Sequence, residues 1–130
     1  GKAKIVQEGT DLTIVTWGAI VQKSIEAAKQ SGFSVDVIDV RTLNPLDMDT
    51  ILTSVKKTSR VIVAHEDVLT NGFGAEIVSR ISDEAFMDLD APVKRVASKD
   101  SHVAYAPVLE DEILVQTSWI VDCINDLMKF

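Results

Sequence analysis

Leu12-Thr13-Ile14-Val15-Thr16-Trp17-Gly18, followed at once by Val21, Ile25 and Ala28 at helical spacing, decides the fold. Five consecutive β-branched or apolar residues make a short strand buried on both faces. Gly18 ends it. The period then changes to that of a helix over Ala19–Gln30, until Ser31-Gly32 stops it. A strand that feeds straight into a helix is the unit of a parallel sheet, because parallel neighbours need a crossover connection.

Outward from this unit the pattern repeats. Phe33–Val40 reads as a strand, and Met48, Ile51, Leu52 and Val55 mark the inner face of a second helix. Asp47 and Asp49 fall in its first turn, where acidic groups suit the helix dipole. Arg60–Ala64 contains Val61-Ile62-Val63-Ala64, the most apolar run in the chain, and a loop at Thr70–Gly74 precedes a third helix carrying Ile77, Ile81 and Ala85 inward. Val93–Ala97 is a strand after Ala91-Pro92. A long polar loop with His102, Tyr105 and Pro107 leads to a closing helix from about Ser118, with Ile120, Cys123, Ile124 and Leu127 on one stripe. Upstream, Lys4–Val6 is a short extended piece separated from Leu12 by the turn Gly9-Thr10-Asp11, so those two segments are expected to pair antiparallel at the sheet edge. The expected fold is α/β over residues 1–130 as a single domain: three layers, α/β/α, around a mixed, mostly parallel sheet of about five strands.

Bulk properties narrow the function classes. The 130 residues are 46% hydrophobic and 25% charged, an ordinary globular composition. Twenty acidic against 13 basic residues give a net charge of −7. That balance argues against nucleic acid, whose binders carry a basic surface to replace phosphate counterions. No apolar run reaches the ~20 residues of a membrane span, so the expectation is a soluble chain with no membrane partner. The single cysteine, Cys123, cannot form an internal disulfide and reads as a buried, inert thiol on the closing helix.

Three strand ends are polar enough to hold chemistry, and each has a plain structural reading beside the functional one. Trp17-Gly18 could open an anion site at a helix start, but it lacks the Gly-Lys-Ser/Thr of a phosphate loop and reads better as a turn. His65-Glu66-Asp67 could supply a general base; neighbouring residues of an extended segment point opposite ways, and no nucleophile is assignable nearby, which favours a structural or interface role. Gly72-Phe73-Gly74 could cradle a phosphate, yet Glu76 in the following turn would repel it. With His65 and His102 as the only histidines, a His-rich metal site is excluded. Trp17 and Trp119 read as core or interface aromatics, and Arg41 either clamps a carboxylate or pairs with a nearby Asp. No catalytic, cofactor or metal residue is assigned.

These segments, in their order, resemble a known family. Gly9–Gly18 resembles the start of the transketolase carboxyl-terminal domain in its 2-oxo acid dehydrogenase β-subunit version. Asp39-Val40-Arg41-Thr42-Leu43-Asn44-Pro45-Leu46-Asp47 matches D-x-R-T-(L/I)-x-P-x-D, and Phe86-Met87-Asp88-Leu89-Asp90-Ala91-Pro92-Val93-Lys94-Arg95-Val96 matches F-x-x-L-x-A-P-x-x-R-V. Ser54–Thr58, His65-Glu66 and Gly72–Ile77 follow at the expected places, and Tyr105-Ala106-Pro107-Val108-Leu109-Glu110 resembles the P-Y-x-x-x-L-E close. Ser98–Ala104 departs from the usual G-x-D-x-P-x-P approach to the tyrosine.

The resemblance implies an assembly domain of an enzyme that decarboxylates a 2-oxo acid on thiamine diphosphate and passes the acyl group to a lipoyl domain. Thiamine diphosphate and magnesium would be held by other domains, so the isolated domain is expected to be inactive. His65-Glu66 with Thr70 and Gly72-Phe73 leans toward the branched-chain, 2-oxoisovalerate type; a pyruvate or acetoin dehydrogenase is the alternative, and a stand-alone flavodoxin-like nucleotide-binding module a third reading. The implied partners are an α subunit or segment, a second β copy, and the peripheral subunit-binding domain of dihydrolipoyl acyltransferase. The last would dock on Asp90 and on the terminal carboxylate carried by Phe130. The implied location is the cytoplasm in a bacterium or the mitochondrial matrix in a eukaryote.

Overall fold

The computed structural model describes residues 1–70, 72–100 and 114–130. Its elements run in the order β1 (Lys4–Gln7), β2 (Leu12–Thr16), α1 (Ile20–Ser31), β3 (Val35–Asp39), α2 (Met48–Thr58), β4 (Val61–Val68), α3 (Phe73–Glu84), a 3-10 turn (Phe86–Asp88), β5 (Lys94–Ser98) and α4 (Thr117–Leu127). The five strands form one sheet in the order β1-β3-β2-β4-β5, parallel except for β1. The expected α/β/α architecture with a mixed five-stranded sheet is what forms.

Strand alternation sorts side chains onto two faces. Leu12 and Ile14 of β2, Val35 and Val37 of β3, and Ile62 and Ala64 of β4 pack against α1 and α4. The odd set, with Val15, Val61 and Val63, packs under α2 and α3 through Ile51, Val55, Ile77 and Ile81. Both faces of the central strands are therefore covered, which is why their sequence is continuously apolar rather than alternating. Each fully buried Leu, Ile or Val contributes about 1.5–3 kcal/mol relative to exposure.

Three expectations need correction. β1 is antiparallel at the edge, but its partner is β3, not β2. β2 has no free side to offer, because β3 and β4 both run parallel beside it. The turn crosses the start of β3 instead, where the Asp11 amide donates to the Ser34 carbonyl at 2.7 Å. Second, the strand expected to end at Ala64 continues to Val68, so His65-Glu66-Asp67 belong to it. β5 keeps it extended through an irregularity between Ala64 and Val68, and the Leu69 amide closes the ladder on the Ser98 carbonyl at 3.1 Å. Third, α3 begins at Phe73 with Gly72 as its N-cap, which puts Gly74 inside the first turn rather than before it.

Candidate functional site

On the α2–α3 face, two buried polar clusters sit at opposite ends of the sheet. At the amino end, Asp36 of β3 is fully buried. Its carboxylate accepts the Gly9 amide at 3.1 Å and the Ser54 hydroxyl, and lies 3.0 Å from the Lys57 ammonium of α2. Ser54 spends its only proton on Asp36, so Thr13, 2.6 Å away, must donate to Ser54. Thr58 stands 2.7 Å from Thr13 and completes the chain of hydroxyls. Every member has a partner, and the cluster fixes α2 against β2 and β3.

At the carboxyl end the arrangement differs. Ligands of open parallel sheets bind beyond the strand ends where successive connections leave in opposite directions. Here the chain leaves β2 for β3 on one side and returns to β4 on the other, so that point lies between Thr16 and Ala64, which are paired. Trp17 and His65 fill it. Their rings stack with centroids 5.1 Å apart and planes 11° from parallel, while Phe73 meets Trp17 edge-on at 6.3 Å.

His65 is fully buried, and neither ring nitrogen has a hydrogen-bond partner among the described residues; the Thr16 hydroxyl is likewise unpaired. A Cβ on Gly74 would lie 2.1 Å from His65 Nε2, so only glycine lets the ring close onto the first turn of α3. Burial pushes the imidazole below its ordinary value of 6.5 against the opposing pull of Asp67, and Arg95 pushes the same way as burial. That shift favours the neutral imidazole. Glu66 and Asp67 are exposed and do not converge on it; Asp67 accepts the Val68 amide at 2.8 Å. This is a packed aromatic plug rather than an acid–base centre.

The two residues expected to share a docking surface do come together, through a residue the sequence reading passed over. Arg60, in the turn between α2 and β4, places Nη1 3.8 Å from the Asp90 carboxylate, and its Nη2 donates to the main-chain oxygen of Phe130 at 2.7 Å. Asp90 is also held from behind, its amide donating to the Ser59 carbonyl at 2.9 Å. The available signal was a single cation between a helix end and the most apolar run of the chain.

The remaining candidates stay separate. Gly18 adopts a positive φ of 63° and turns the chain into α1, as a strand-to-helix turn requires. Arg41 is exposed, with its amide on the Asp39 carboxylate at 3.1 Å. Trp119 is half-buried with the Lys99 ammonium 5.7 Å above its ring. Cys123 is half-buried, less than expected, and burial together with Asp126 pushes its thiol up to about 11, which makes it a poor nucleophile. His102, Tyr105, Pro107 and Glu110 lie outside the described residues. Among the described residues no group of three His, Cys, Asp or Glu side chains could hold a metal, and no helix is long and apolar enough to cross a membrane.

Comparison with known proteins adds the following. The family model described as transketolase, C-terminal domain, matches residues 1–120. Over 104 residues the chain is 48% identical to the pyruvate dehydrogenase E1 component subunit beta of Bacillus subtilis (strain 168) and 46% identical to that of Staphylococcus aureus. Each alignment covers 78% of this chain and 32% of the relative, so the chain spans only that fraction of their length. Among solved structures, a split-gene transketolase in an inactive β4 tetramer superposes with a TM-score of 0.85 at 24% identity, over 98% of this chain and 42% of that one. A 2-oxoglutarate:ferredoxin oxidoreductase from Magnetococcus marinus gives a TM-score of 0.59 at 14% identity, over 98% of this chain and 19% of that one. At these identities the structural likeness is one of fold.

Proposed function

The chain belongs to the transketolase carboxyl-terminal domain family, and on that premise we propose that it is the assembly domain of the β component of a thiamine-diphosphate-dependent 2-oxo acid dehydrogenase. Its work is to join subunits and to dock the peripheral subunit-binding domain of a dihydrolipoyl acyltransferase on Asp90 and Phe130. The observation that carries this reading is the Arg60 bridge, which gathers those two residues, far apart in the chain, onto one exposed strip. Arg60 also changes the electrostatics. An incoming basic side chain must share Asp90 with a resident guanidinium, held loosely at 3.8 Å, rather than meet a bare carboxylate.

The chemistry is assigned elsewhere. The described residues do not fit thiamine diphosphate with magnesium: no acidic cluster is present for the metal, and the glycine-rich start of α3 is occupied by the His65 ring. The same occupied helix start, with exposed Glu76 behind it, counts against an anion site at Gly72–Gly74 for a flavodoxin-like nucleotide module. For the substrate, the named relatives favour pyruvate. The branched-chain reading stands as the competing proposal. It rests on His65, Glu66, Thr70, Gly72 and Phe73, of which His65 and Gly72 are buried. Comparing kcat/KM for pyruvate and 2-oxoisovalerate on the assembled enzyme separates the two.

Docking is tested by titrating the purified subunit-binding domain into the assembled α and β components. Asp90→Asn should weaken binding about ten-fold and flatten its salt dependence. Unchanged affinity and salt dependence in that variant would remove Asp90 from the docking surface, and micromolar binding of thiamine diphosphate by this chain alone would overturn the assembly-domain reading.

A further inference from the structure

The three most exposed large hydrophobic residues among those described are Met87 at 90%, Phe86 at 69% and Phe130 at 61%. Phe86 and Met87 share a hollow with Asp90, which Arg60 joins to Phe130. Phe86 and Met87 form the 3-10 turn after α3, and with Leu89, Asp90 and Pro92 they line an open hollow of about 720 Å³. Apolar side chains left this exposed as a group, rather than singly, mark an interaction surface.

The surroundings say what kind of partner fits. Asp83, Glu84, Asp88 and Asp90 surround the pair in sequence, and residues 83–93 contain no basic residue. Asp83, Glu84 and Asp90 are exposed. The nearby cation, Arg60, is already committed to Asp90 and Phe130. A second copy seating this same hollow upon itself is a poor occupant, since it would bring the same carboxylates face to face. A basic amphipathic helix is the complementary shape and charge: an apolar ridge over the two side chains, with lysines or arginines reaching the acidic collar.

We propose that Phe86 and Met87 are the apolar anchor of the docking surface, and that its occupant is a basic amphipathic helix which buries an apolar side chain between them. The assignment rests on the docking reading of Asp90 and Phe130 and adds to it. Charge there brings the partner in and sets its orientation, while the apolar pair slows its departure.

The test uses the assembled enzyme that carries this chain, with two probes: the purified acyltransferase subunit-binding domain, and a synthetic helix with leucines on one face and lysines on the other. A Phe86→Ser/Met87→Ser double variant should lose about ten-fold in affinity for both probes, with the salt dependence unchanged and the melting temperature close to the parent's. Asp90→Asn should instead flatten the salt dependence. If the acyltransferase domain fails to bind the parent while the lysine helix binds it and loses affinity in the double variant, the docking reading falls and the anchor stands. The anchor is overturned if the double variant binds both probes like the parent, if neither probe binds the parent, or if a helix with glutamates in place of the lysines binds equally well. It is also overturned if Met87 in the assembled enzyme is protected from oxidation before any probe is added, because another part of the enzyme then covers it.

Discussion

At the amino end of the sheet Asp36 meets an amide, a hydroxyl and an ammonium, whereas at the carboxyl end of the same face His65 stacks on Trp17 and packs against the start of α3. Both are fully buried. Burying a charged group is tolerable only when its lone pairs are filled, and the Asp36 cluster fills them with residues from α2, β2 and the turn before β2. His65 escapes the same cost by staying neutral, and it leaves two ring nitrogens without partners. One cluster is a fastening that fixes helix position. The other trades stability for a flat ring that lets Trp17 and α3 close over the sheet's carboxyl edge.

Substitutions should separate the two. The largest expected effect is at Asp36: Asp36→Ala leaves the Ser54 hydroxyl and the Gly9 amide without their buried acceptor and removes the partner of half-exposed Lys57, and should cost about 3 kcal/mol in urea denaturation. A loss below about 1 kcal/mol would mean that the cluster is not the fastening its geometry suggests. Next is Gly74→Ala, whose methyl would stand 2.1 Å from a ring with nowhere to go; overpacking should cost about 2 kcal/mol, read from the same denaturation curves. His65→Phe keeps the stack and removes both unpaired nitrogens, so it should be neutral or up to about 1 kcal/mol stabilising, the opposite sign to Asp36→Ala. A strongly destabilised His65→Phe protein would show that the imidazole nitrogens make contacts essential to the fold.

The smallest effect is a dependence on pH. The folded imidazole has its pKa lowered below 6.5, so the unfolded chain takes up this proton more readily. Stability is therefore unaffected by His65 above that value and falls as the pH drops from about 6.5 through the folded pKa. Asp67 and Arg95 are the charged groups that act on the ring. Thermal melts between pH 7.5 and 5 should slope downward for the parent, and part of that slope should vanish in His65→Phe.

Local patterns carried most of the fold. β2 was legible residue for residue, since a run of β-branched and apolar side chains between two turns has one reading, and α1 and α2 announced themselves by buried faces at helical period. What escaped was non-local. The pairing of β1 with β3 depends on both sides of β2 being taken, which no window of sequence contains. The length of β4 depends on β5 beside it: the apolar run stops at Ala64, yet a neighbouring ladder keeps His65, Glu66 and Asp67 in the same strand. Asp36 was hidden among the apolar Val35, Val37 and Ile38, although an acid between two valines of a buried strand is itself the clue to a buried network. For the strip, Asp90 and Phe130 came from the family resemblance, and Arg60 could be found only once the fold had brought all three together.

The edge strand β1 has one further effect. It covers β3, whose inner residues Val35, Asp36, Val37 and Ile38 are all buried, and it turns Lys4 outward at the border of the sheet. A chain trimmed as far as Gly9 would expose the backbone donors and acceptors of the mostly apolar β3, with no lysine to guard it. Copies could then add strand to strand, and the same molecule would move from solution toward fibrils at the ~4.8 Å spacing of stacked strands.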